Sequence, residues 1–170
     1  MFELTGIVDW FADLARPWAT LYGDHPWLQT TVTFLHLAGI FLGGGFAMAT
    51  DRETFVVHRA ARLSGQMRHL TKLDTIHRPV MFGLVLALSS GFLLFASDLE
   101  HFAGSWIFWT KMGLLALLLA NAYLLKRTET TLRGGSPDDP ALWARLRYIS
   151  AASLGLWLVL ILAGTLLVNL

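Results

Sequence analysis

Two ionisable residues stand inside stretches that otherwise carry no charge, His36 and Lys111. An ammonium facing lipid costs roughly 2.5–3.5 kcal/mol on insertion scales, so Lys111 is expected to turn into a helix bundle or to snorkel toward Asp98 or Glu100. A neutral imidazole in a four-helix bundle makes a good axial ligand for haem iron, and its plainer role is a hydrogen bond between helices. Counted from the starts of their apolar stretches, the two residues lie about 12 and about 9 Å deep at 1.5 Å per residue. That matched depth makes His36 the candidate metal ligand and Lys111 the candidate catalytic and cofactor-contacting residue. Ser90 and Gly91 fall at the same level on a third stretch. They are small enough to leave room for a macrocycle or a lipid headgroup, or to form a tight helix seam. Gly39-x-x-x-Gly43, followed by Gly44 and Gly45, lets another helix or a flat ligand approach the backbone closely.

A bis-histidine site would need a second imidazole at the depth of His36, and the sequence supplies none. His101 lies in a short connection and is too shallow. His58, His69 and His77 belong to the opposite side, where His77 is a second candidate metal ligand with His58 or His69. The alternative for these three is a solvated basic surface meeting anionic headgroups. His58 and His69 would share one helical face if no break separates them. Asp51-Arg52, at the end of the first stretch, reads as a structural pair, and Asn121 and Trp157 as polar handles between helices.

The elements that position these residues are apolar blocks. Of 170 residues, 55% are hydrophobic and only 15% charged. Residues 28–50, 79–97 and 148–170 hold no Asp, Glu, Lys or Arg, and residues 102–125 hold only Lys111. Each block is long enough for a bilayer core of about 30 Å, which takes about 20 helical residues. The expected fold is all-α, an integral membrane bundle of four helices at about 28–50, 79–97, 105–125 and 146–169, in one domain spanning 1–170. Residues 1–24 make an interfacial amphipathic helix and a turn, with Phe2, Ile7, Trp10, Phe11 and Leu14 as its apolar members. The absence of cysteine excludes thiolate metal sites and iron–sulfur clusters. The lipid bilayer is the expected partner. No basic stripe suits nucleic acid. Of thirteen Lys and Arg, six fall at 52–78 and five at 126–147, which are connections on the same side. Positive charge favours the cytoplasm, so both termini are expected outside, on the periplasmic face of a bacterial inner membrane.

The run Phe34-Leu35-His36-Leu37-Ala38-Gly39, with Gly43-Gly44-Gly45 and Asp51-Arg52, resembles the first helix of a superfamily of small bacterial four-helix membrane proteins. That superfamily includes copper-resistance D-type proteins and the membrane-bound protoporphyrinogen oxidase type. Ser90-Gly91-Phe92-Leu93-Leu94-Phe95-Ala96, Phe108-Trp109-Thr110-Lys111 and Ala120-Asn121 are most similar to an uncharacterised family within it. The resemblance covers roughly residues 25–125. It implies a haem-associated role for His36 and Lys111. The resulting expectation is a haem b membrane redox protein, working in electron transfer or in porphyrin- or quinone-linked oxidoreduction. The alternatives are a non-catalytic accessory subunit of a larger membrane complex, a homo-oligomer among the possibilities, and a metal or metabolite permease.

Overall fold

The computed structural model describes residues 2–60, 63–134 and 139–169, with side chains at 10–55, 75–134, 139–167 and 169. Six helices follow one another: α1 (Phe2–Asp24), α2 (Pro26–Ala60), α3 (Leu63–Ser97), α4 (Leu99–Gly104), α5 (Trp106–Gly134) and α6 (Pro140–Asn169). No strand occurs among the described residues. Four segments are long and apolar enough to cross a membrane: Pro26–Phe55, Thr75–Ser97, Trp106–Gly134 and Pro140–Leu167. The protein is therefore an all-α, multi-pass membrane protein. Its outer walls carry Phe34, Phe41, Phe82, Phe92, Leu117 and Leu158, all exposed and all suited to acyl chains.

The helices run further than the apolar blocks. At 35 residues each, α2 and α3 span about 52 Å, well beyond the hydrocarbon thickness. The extension lies at the end carrying Ala60, Leu63, Gly134 and Pro140, here named the basic pole; the other is the α1 pole. Pro79 was expected in a first helical turn, but it sits inside α3. Its ring withholds one amide donor from the helix ladder, and packing of the remaining turns carries the helix through. The helix around 53–70 is interrupted, because α2 stops at Ala60 and α3 starts at Leu63. His58 and His69 thus stand on different helices rather than on one face, and their side chains lie outside the described residues.

Packing is uneven in an informative way. Close backbone approaches join α2 to α3, α5 to α6 and α2 to α6, whereas α3 and α5 stand further apart. The α2–α3 seam is made by glycine. A Cβ on Gly83 would stand 2.2 Å from the Gly43 nitrogen, and one on Gly39 would stand 2.5 Å from the Ala87 nitrogen. On the other side of α2, the Trp157 ring of α6 lies 3.0 Å from where a Gly44 Cβ would be. Trp157 works here by shape, filling a layer with Leu84, Leu118 and Leu160. Asn121 does act as an interhelical handle, its Nδ2 donating to the Ile149 carbonyl at 3.1 Å. At the basic pole Leu132, Trp143 and Leu146 form a second core. Asp139 caps α6 with Pro140 in the first turn, accepting from the Ala141 and Leu142 amides at 2.8 and 3.4 Å.

α1 stays helical through Asp24, where a turn was expected, and lies against α2, α3 and α4. Trp18 fastens it, Nε1 donating to the Leu93 carbonyl at 2.8 Å. Gln29 closes the α1–α2 corner by donating to the carbonyls of Tyr22 and Gly23. Trp10, Phe11, Leu14 and Leu21 remain exposed. That leaves an apolar face directed away from the bundle, as an interfacial helix requires.

The seam gives a direct expectation. Gly83→Leu should force α2 and α3 apart and lower stability by about 1–3 kcal/mol, the usual range for overpacking. Gly45→Ala, where nothing lies within 4 Å, should be neutral or stabilising by up to about 1 kcal/mol. Thermal melting of both variants in detergent measures the contrast.

Candidate functional site

The site starts from the seam. Because Gly39 and Gly83 let α2 and α3 touch backbone to backbone, a side chain one turn away on α2 can reach the α3 main chain. His36 does so: Nδ1 lies 3.0 Å from the Ala87 carbonyl and 3.3 Å from Ser90 Oγ. Ser90 Oγ in turn donates to the Leu86 carbonyl at 2.6 Å. A carbonyl only accepts, so the proton of the neutral imidazole is on Nδ1. Nε2 is then a bare acceptor, and it makes no hydrogen bond among the described residues. This is the arrangement found in metal-ligating histidines, where a carbonyl or carboxylate holds one nitrogen and the metal takes the other. The hydrogen bond between helices and the ligand role are thus compatible in one residue.

Lys111 comes from α5 and turns inward. Nζ and Cε lie 3.6 and 3.8 Å from where a Gly164 Cβ would stand on α6. Gly164 borders the space that the side chain enters between α5 and α6, at ordinary contact distance. The ammonium is close enough to act electrostatically on His36. It forms no ion pair with Asp98 or Glu100, so it does not snorkel to them. Among the described residues it has neither a carboxylate partner nor a hydrogen bond. A half-buried ammonium without a partner is an expensive arrangement in an apolar bundle.

The remaining candidates resolve differently. Gly39 and Gly43 were expected to admit a helix or a flat ligand, and the occupant is α3, whose backbone takes the whole approach. Ser90 and Gly91 were expected to leave room opposite His36; the imidazole itself fills it, with Cε1 3.0 Å from where a Gly91 Cβ would be. Gly39 and Gly43 thus pack α2 on α3, and Ser90 and Gly91 pack against the His36 ring. His77 lies on α3 toward the basic pole, at a different level from His36. Its proposed partners His58 and His69 fall outside the described side chains. No cluster of three His, Cys, Asp or Glu that could hold a metal ion occurs among the described residues.

Both ends of the His36–Lys111 level are sealed by apolar groups. Toward the α1 pole Phe95 of α3 stacks on Phe108 of α5, centroids 4.9 Å apart and planes within 8°. Phe102 of α4 leans on both. Toward the basic pole the Leu84, Leu118, Trp157 and Leu160 layer closes the interior. Between these seals, any opening belongs to the wider separation of α3 and α5. Sequence reasoning missed two residues, Gly164 and Ala87. Gly164 offered no signal beyond being small, and a carbonyl such as that of Ala87 carries no residue-type signature at all.

Compared with known proteins, the chain matches no family model, no curated protein and no solved structure.

The isolated ammonium predicts its own stability signature. Lys111→Met keeps the shape and removes the charge, so the ligand-free variant should melt above the parent by an amount corresponding to about 1–3 kcal/mol. Differential scanning fluorimetry in detergent reads it; a variant melting lower would mean that the ammonium is already satisfied.

Proposed function

We propose that this protein is a haem b-associated membrane redox protein, with His36 as the iron ligand and Lys111 as the contact for a carboxylate. One observation carries the reading. His36 is anchored through Nδ1 on the Ala87 carbonyl, with Nε2 unbonded and the ring within electrostatic reach of an inward ammonium that lacks an acidic partner. The residues fit the group in kind: one nitrogen donor for iron, one cation for a propionate, and apolar seals above and below. When bound, haem would supply one-electron exchange with a quinone or a porphyrin substrate. The chain's own part is to fix the imidazole tautomer, orient the ring through the α2–α3 seam, exclude water and place a positive charge where an acidic group is held. The membrane in question is the bacterial inner membrane, with the α1 pole outside.

A second reading is favoured by the exposed Trp10, Phe11, Leu14 and Leu21 on α1. That face would also dock an accessory subunit into a larger membrane complex. In that case the chain co-purifies with a partner after mild detergent extraction; a chain that runs alone counts against it.

The absorption spectrum tests the main proposal. Protein purified from haem-replete cells should show a Soret band. His36→Ala should abolish it, and Lys111→Met should lower haem occupancy while leaving the band position close to the parent. A colourless parent protein disposes of the idea. The chain has no cysteine, so single substitutions report topology cleanly. Asp24→Cys should react with an impermeant maleimide added to intact spheroplasts, and Arg133→Cys only after lysis; the reverse pattern would invert the orientation.

A further inference from the structure

At the basic pole, α2 and α6 enclose a polar group that the haem reading does not use. Asp51 is 3% exposed, Thr54 one turn along the same face is 1% exposed, and on α6 Ser150 and Ser153 are 0% and 6% exposed. The Ser153 hydroxyl donates to the Asp51 carboxylate. Ser150 offers its hydroxyl to the same carboxyl, but at a geometry too poor to make a formed hydrogen bond. Asp51 Oδ2 and Ser150 Oγ both lack any hydrogen-bond partner. No Lys or Arg among the described residues forms an ion pair with Asp51.

Ser150, fully buried, departs from the way most hydroxyls in the spans are satisfied. Thr30, Thr31, Thr50, Thr54, Thr110, Thr128 and Thr165 each donate to the carbonyl four residues back on their own helix. That is the ordinary way a hydroxyl is satisfied in an apolar helix. Ser150 makes no such bond, and its oxygen stays bare beside a bare carboxylate oxygen. Two oxygens without a well-formed hydrogen bond, on residues each more than nine-tenths buried, thus belong to neighbouring side chains of α2 and α6. Burying an ionised carboxylate without compensation is prohibitively unfavourable, and a buried hydroxyl left unmade is also costly.

We propose that Asp51, Ser150 and Ser153 form a binding site for a small monovalent hard cation of the sodium type. Hard cations take oxygen ligands, and carboxylate, hydroxyl and backbone carbonyl oxygens are the donors at hand. The single carboxylate sets the valence. One monovalent ion makes the site neutral, whereas a divalent ion would leave an uncompensated positive charge between the helices. The position suits supply from the cytoplasm, because Asp51 is the first charged residue after the block 28–50. The bound ion joins α2 to α6, the contact that also seats Trp157 on Gly44. This site stands independently of haem binding.

The test uses the full chain in detergent, in alkaline buffer, with sodium chloride exchanged for choline chloride at constant ionic strength. Melting temperature and bound radiolabelled sodium are read together. The expected result is a saturable rise in melting temperature with sodium and one ion per chain. Ser150→Ala should weaken the ion about tenfold, the loss of one ligand contact. Asp51→Asn should abolish both binding and the sodium dependence. It should melt in choline no lower than the parent does, because the amide removes the buried charge. Should Asp51→Asn fail to fold, Ser150→Ala decides the matter. A potassium response as strong as that to sodium still supports the site. Equal melting in choline, potassium and sodium, with no ion bound, overturns it and leaves Asp51 a neutral carboxyl.

Discussion

Everything that distinguishes this bundle depends on the place where α2 and α3 touch through their main chains. Lipid gives helices no hydrophobic reason to associate, so contact must come from close packing. Gly39, Gly43 and Gly83 supply it by having no side chain at the crossing, with no room for a Cβ on Gly39 or Gly83. The closeness sets the reach of His36. An imidazole can hydrogen-bond the Ala87 carbonyl only if α3 runs within a side chain's length of α2, and the glycines bring it there. The same residue pattern could have made a slot for a flat ligand. It makes a hinge-free anchor for one side chain instead.

Two polar places result, and they differ in how they are satisfied. At the His36–Lys111 level one nitrogen of the ring is used and one is left over, beside an ammonium with no acid near it. At the Asp51–Ser150 level two oxygens are left over, and no Lys or Arg among the described residues forms an ion pair with Asp51. The first has the donor set for a metal and an acidic group, the second for a hard cation. Most described threonines in the spans instead donate to a carbonyl four residues back on their own helix.

Much of the fold was legible in the sequence because lipid reads composition directly. Charge-free blocks of membrane length and the clustering of Lys and Arg at 52–78 and 126–147 each have one dominant physical cause. Helix lengths were not legible. The ends of α2 and α3 are polar, and polar sequence is compatible with helix or loop alike, so Pro79 looked like a start when it is an interior position. In the site, His36 and Lys111 were visible as ionisable groups among apolar ones. Their company was not. Whether Gly91 faces a ligand or the ring of His36 depends on the rotation of α3 about its axis, which a single sequence does not encode locally. Asp51 was read as structural because its neighbour Arg52 distracted from Ser150, nearly a hundred residues away.

The layer of Leu84, Leu118, Trp157 and Leu160 lies between the two polar levels. His36 and Asp51 are fifteen residues apart on α2, about 22 Å along the axis. Apolar side chains packed across that interval conduct neither ions nor protons, and at such a range two charges hardly sense one another once solvent and counter-ions screen them. The layer thus works as an insulating partition. Whatever binds at one polar level is thereby left to its own end of the molecule.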